Sequence, residues 1–147
     1  MKQDLVIGLD CSTTACKAVV FDKDGSIKDC ARAPLTMDQP KPTYHEQDAT
    51  SWWLATCETL KMISNRTDPS RFAGLAISAQ RETFVPVDAN GDPISPAILW
   101  MDERCRLLLP EIEKNLGATD FHRITGKPLS GNLAIGKILW MKLFYPQ

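Results

Sequence analysis

The residues with the most obvious chemical use sit at the end of the first apolar run. Leu5-Val6-Ile7-Gly8-Leu9 leads into Asp10, then Cys11-Ser12-Thr13-Thr14-Ala15-Cys16-Lys17. A turn of small hydroxyl residues can aim backbone N–H groups and hydroxyls at phosphate oxygens. Asp10 is a candidate ligand for Mg²⁺, which favours carboxylate and water oxygens. Lys17 adds a positive charge beside it. The same residues also suit a polar hairpin whose Ser and Thr side chains satisfy local backbone groups. The stretch is neither a Walker A loop nor a G-x-G-x-x-G fingerprint.

A second group is Ser78-Ala79-Gln80-Arg81-Glu82-Thr83, which interrupts two strand-like runs. Arg81 offers a planar fork of donors and Glu82 accepts, so with Gln80 they can bind substrate hydroxyls at a strand end. An exposed ion pair on a loop is the plainer alternative. A third group runs from Ala97 to Arg104. Trp100 can form a flat apolar wall for the carbon side of a polyol, or simply join the core. Asp102 can face substrate or cap the following helix. Trp52 and Trp53 read as core residues, and the cysteines as packing.

The elements that must position these groups follow from patterning. Leu5–Leu9, Ala18–Phe21 and Ile27–Leu35 read as three short strands, with Asp24-Gly25 as a hairpin turn. Together they make a three-stranded antiparallel meander. Pro34, Pro40 and Pro42 mark an extended loop. Asp48 suits the N-cap of a helix that the polar stretch Ser64–Pro69 ends. Phe72–Ser78 reads as a buried strand and Thr83–Val87 as another. Arg104–Leu116 and Ile135–Phe144 read as helices, with Gly117 as C-cap of the first and Pro146 ending the second. The layout is α/β, with helices covering a mixed sheet.

Composition narrows the function classes. The 147 residues are 44% hydrophobic and 24% charged, as in an ordinary globular domain. No composition shift marks a domain boundary. A net charge of −1 gives no basic field for nucleic acid or a membrane surface. Met1-Lys2-Gln3-Asp4 lacks the apolar run of a signal peptide. With five cysteines at no C-x-x-C spacing, reduced thiols in the cytoplasm are expected. His45 and His122, far apart, do not suggest a zinc site.

Taken together, the motifs are similar to those of the FGGY family of carbohydrate kinases, within the actin/hexokinase/Hsp70 superfamily. The matching stretches are Gly8–Thr14 with Lys17–Asp22, Tyr44–Asp48 with Trp52-Trp53, Ile77–Thr83, Asp88–Ile94, Pro96–Arg104, and Thr125–Pro128 with Lys137–Trp140. They run in family order over nearly the whole chain. The resemblance implies a ribonuclease-H-like core and transfer of the ATP γ-phosphate to a sugar or polyol hydroxyl. It places Asp10 near Mg²⁺ and the γ-phosphate, with Thr13, Thr14 and Lys17 at the phosphates. It places Gln80, Arg81, Glu82, Trp100 and Asp102 on the sugar side.

Two departures bear on these expectations. Ser12 stands where the family has a glycine, which adds strain only if that position needs positive φ. Asn132 falls near the place of a tyrosine that helps bind glycerol in relatives, which leaves a longer polyol or ketose open. Family members are also several times longer. The resemblance therefore implies an incomplete N-terminal portion of the first kinase domain, with the catalytic base beyond residue 147, inactive by itself and with homodimers among the expected outcomes. An actin- or Hsp70-like nucleotide-binding module, or a non-catalytic remnant that binds a partner, is the competing reading.

Overall fold

The computed structural model describes residues 3–145, so Met1, Lys2 and the expected helix stop at Pro146 lie outside it. The described chain forms two compact units, residues 3–37 with 48–80 and residues 38–47 with 81–145. Composition hides this division because the chain passes between the units at three points, and no single linker separates them.

In the first unit, β1 (Leu5–Cys11), β2 (Ala15–Asp22) and β3 (Ile27–Pro34) form the expected meander. The β2–β3 turn is closed by Asp22, whose carboxylate accepts from the Asp24 and Ser26 N–H groups at 3.0 and 2.9 Å. Gly25 there has φ +81°, which glycine adopts without cost. A fourth strand, β5 (Phe72–Ala79), pairs parallel to β1, giving the order β3-β2-β1-β5. One antiparallel meander plus one parallel strand makes this sheet mixed.

Helix α1 (Ala49–Ser64) packs over β2 and β3. Asp48 caps it as expected, accepting from the Thr50 N–H at 2.8 Å. Its buried residues, Ala55, Thr59 and Ile63, recur every four positions and meet Leu5, Ile7, Leu9 and Val20 in the core. Trp53 lies off that stripe and is 67% exposed, so it is not the core residue expected; Trp52 is half-buried. Strand β5 also differs from expectation. It is the last strand in the sheet order, and nearly all its residues are exposed, Ile77 at 68%; only Phe72 packs against the core.

The second unit is mainly helical. Two short strands, β4 (Glu46–Gln47) and β6 (Ala97–Ile98), pair antiparallel. The strand expected at Thr83–Val87 reduces to isolated bridges, Phe84 with Ile98 and Val87 with Pro93. Pro86 has no N–H to continue a ladder. The helix expected over Arg104–Leu116 is a 3₁₀ turn, Arg104–Leu108, followed by α2 (Leu109–Leu116). Pro110 explains the break, since its ring opposes helical geometry back to residue 106. Gly117, at φ +69°, ends α2 as expected, but α3 (Ala118–Thr125) starts at once. Helix α4 (Ala134–Phe144) matches the last expectation. Among the described residues no helix is long and apolar enough to cross a membrane.

Candidate functional site

In the first unit the register of the β1–β2 hairpin sets the geometry. Asp10 stands directly opposite Lys17 on β2 and, on its other side, opposite Ser78 on β5. Residues directly opposite on paired strands share a face. All three line one cavity of about 460 Å³, together with Gly8, Val19 and Phe21. Among the described residues, no hydrogen bond or ion pair engages the Asp10 carboxylate or the Lys17 ammonium. A carboxylate and an ammonium therefore face one open space from adjacent strands.

The connecting turn is held from its base. The Ser12 N–H and Oγ both donate to the Ala15 carbonyl, at 3.0 and 2.9 Å. Ser12 is not among the residues with positive φ, so serine adds no backbone strain at this position. The Leu35 N–H donates to the Thr14 carbonyl at 3.0 Å. The Thr13 hydroxyl donates to Gln80 Oε1 at 3.2 Å. Gln80, expected on the sugar side, thus touches the phosphate-turn candidates within this unit.

Arg81 and Glu82 belong to the second unit. Arg81 is exposed. Glu82 adopts φ +63°, the left-handed region that non-glycine residues seldom enter. Its carboxylate accepts from the Lys127 ammonium and, at 2.8 Å, from the Ala134 N–H at the start of α4. The Lys127 hydrogen bond, helped by that N–H, holds its pKa below the usual carboxylate range. The Glu82 carbonyl accepts from the Lys137 ammonium. The next residue, Thr83, accepts the Trp100 N–H at 3.1 Å through its hydroxyl.

Trp100 is 43% exposed and lines a cavity of about 520 Å³ with Glu103, Arg106, Ser130 and Asn132. An aromatic face beside a few polar side chains is a common lining for small-molecule pockets. Asp102 is elsewhere. It is wholly buried, and its carboxylate accepts from the backbone N–H of Arg104 at 2.9 Å and of His45 at 2.7 Å. The helical turn that follows has Glu103, not Asp102, at its N-cap and no side-chain cap, so Asp102 braces the Arg104 and His45 backbone instead of filling the capping role given as its alternative. Arg104 is bound in turn by Glu46 at 2.8 Å, and lies 4.1 Å from the Tyr44 ring and 4.9 Å from the Trp140 ring.

Sequence reasoning gave no roles to Lys127, Lys137, Glu46 and Arg104. Lys137 did carry a signal. It is the one charged residue of an otherwise apolar stretch, Leu133–Met141, and such a residue is buried with partners or turned outward.

Magnesium has a simple fit test. Among the described residues no three acidic, histidine or cysteine side chains gather to form a metal cage. Asp10 alone is available at the turn. That suits Mg²⁺, which commonly takes one or two carboxylates and completes its shell with water and phosphate oxygens.

Residues 5–147 match the FGGY family of carbohydrate kinases, N-terminal domain. A xylulose kinase from Staphylococcus xylosus is 34% identical over 137 residues, 93% of this chain and 28% of that protein. Glycerol kinase 2 of Streptomyces coelicolor is 33% identical over 92% of this chain and 27% of its own length. The crystal structure of xylulose kinase from Rhodospirillum rubrum superposes with a TM-score of 0.92 at 26% identity, covering 97% of this chain and 30% of that one. The chain thus spans less than a third of the length of these relatives. The match over residues 5–147, on a mixed α/β core that opens with the expected meander, shows that the chain belongs to the FGGY family of carbohydrate kinases.

Proposed function

We propose that the chain is the N-terminal portion of the first domain of a cytoplasmic kinase that transfers the ATP γ-phosphate to a hydroxyl of a sugar or polyol. The observation that supports this most is the Asp10–Lys17 pair, opposite in register beside the Ser12–Thr14 turn. Asp10 would hold Mg²⁺, which when bound neutralises developing charge on the phosphates. Lys17 adds a point charge, and the hydroxyls and N–H groups of Thr13 and Thr14 orient phosphate oxygens. Thr13 is itself oriented by Gln80.

On the sugar side, Arg81 supplies donors and Glu82 acceptor capacity, since a carboxylate has lone pairs beyond the two contacts already made. Trp100 packs against the carbon face. Asp102 supports Arg104 from within and touches no ligand in this scheme. No residue assigned here accepts the hydroxyl proton, a step that phosphoryl transfer also needs. The 147-residue chain by itself is therefore expected to show no sugar-dependent ATP turnover.

The test is ADP release by the polypeptide of the complete reading frame, offered a panel of polyols and ketoses. Arg81→Ala is expected to raise the sugar KM about 10- to 100-fold, as for lost hydrogen bonds to a charged group, while the ATP KM stays put. Equal losses for both substrates, or release stimulated by peptides and not by sugars, would overturn the reading. So would robust turnover by the 147-residue chain alone.

A further inference from the structure

We propose that Lys137 is a positioning residue for sugar binding, fixing from inside α4 the backbone of both Glu82 and Asn132; this rests on the kinase reading above. Lys137 is wholly buried. Its ammonium donates to the Glu82 carbonyl and, at 2.9 Å, to the Asn132 carbonyl. Glu82 lies next to Arg81, and Asn132 lines the cavity on which Trp100 stands. One buried cation thus ties the segment that offers the hydroxyl-binding side chains to the wall that shapes the space for the carbon chain.

Two further features point the same way. A left-handed backbone at a glutamate persists only where the surroundings over-determine it. Glu82 is held at three points, by Lys127 and the Ala134 N–H on its carboxylate and by Lys137 on its carbonyl. Of these, only Lys137 grips the main chain, at the peptide that follows the left-handed residue and one residue on from Arg81. A buried cation is also a poor choice for packing alone, since apolar residues of similar volume often serve stability as well or better. Its donors must answer a need that an apolar side chain cannot meet, and the two carbonyls at the sugar segments are that need.

The experiment uses the polypeptide of the complete reading frame, with ADP release and thermal unfolding measured together. Wild-type turnover on the sugar panel tests the kinase reading separately, and its absence would sink both. Given an active wild type, Lys137→Met, which keeps most of the length and loses every donor, is expected to raise the sugar KM about tenfold or more. The ATP KM is expected to hold within about twofold. Lys137→Gln, which keeps one amide donor pair, is expected to fall between Met and wild type. An unchanged sugar KM in folded Lys137→Met, or parallel losses in sugar and ATP KM, would overturn the assignment. If both variants fail to fold, Lys137 is a structural residue only, and the assignment fails as well.

Discussion

The Asp102 carboxylate grips the Arg104 guanidinium side-on, Oδ1 facing Nε at 2.9 Å and Oδ2 facing Nη2 at 2.8 Å. Neither side chain is more than marginally exposed. Burial works against the Arg104 charge, but its hydrogen bonds to Asp102 and Glu46 outweigh that and hold its pKa above the usual value. Removing one partner of such a pair leaves an uncompensated buried charge, at a cost of roughly 3–5 kcal/mol. Glu46 and the flanking Tyr44 and Trp140 rings keep part of the compensation. Asp102→Asn is therefore expected to cost about 3 kcal/mol in urea unfolding, the lower end of that range. A variant of unchanged stability that binds sugar poorly would instead place this carboxylate at the ligand.

Glu82 links acidity to stability. Its pKa is depressed, chiefly by Lys127, so its contribution is complete above the ordinary carboxylate value of about 4.3. The contribution is lost as pH falls through the lower folded-state value. Both partners are partly exposed, and solvent screening keeps the effect modest. The stability gap between wild type and Glu82→Gln is expected to be flat from pH 7 to about 5 and to narrow below about 4. Urea titrations at a series of pH values measure this, and a gap that stays constant into strong acid would contradict it.

The five thiols separate by environment. Cys30 and Cys57 are exposed, whereas Cys16 and Cys105 are buried. Burial, then the adjoining Cys16, pushes the Cys11 thiol up to about 11. Burial and then Asp102 push Cys105 to about 11. At pH 8 only about one in a thousand of either is ionised, and the thiolate is the reactive form. A chromogenic disulfide reagent is expected to show two fast thiols and three slow ones in the native protein. Mass mapping that finds Cys11 labelled as quickly as Cys30 would count against this arrangement.

How much of this was legible depends on range along the chain. The meander was readable because each strand is a short apolar run closed by a local turn, and Asp48 caps a helix two residues away. The opposition of Asp10 and Lys17 follows from counting through a tight hairpin. Pro110 was equally local and forbids the long helix read through it. The rest depends on partners far off in sequence. Lys137 meets Glu82 across 55 positions, and the left-handed backbone of Glu82 has no glycine or asparagine to announce it. Trp53 looked like core by type, yet the four-residue spacing of Ala55, Thr59 and Ile63 turns it outward. Asp102 fitted two roles by type alone, and its buried pairing with Arg104 and the distant His45 N–H is a third.

Strand β5 has a practical consequence. It ends the sheet order, and among the described residues no strand pairs with its outer side. Leu75 and Ile77 are both open to solvent along it. A row of free amide and carbonyl groups next to branched aliphatic side chains is a template for stray strands. Preparations of this chain alone should accordingly be kept dilute, with solubility watched at that margin before any ligand titration is interpreted.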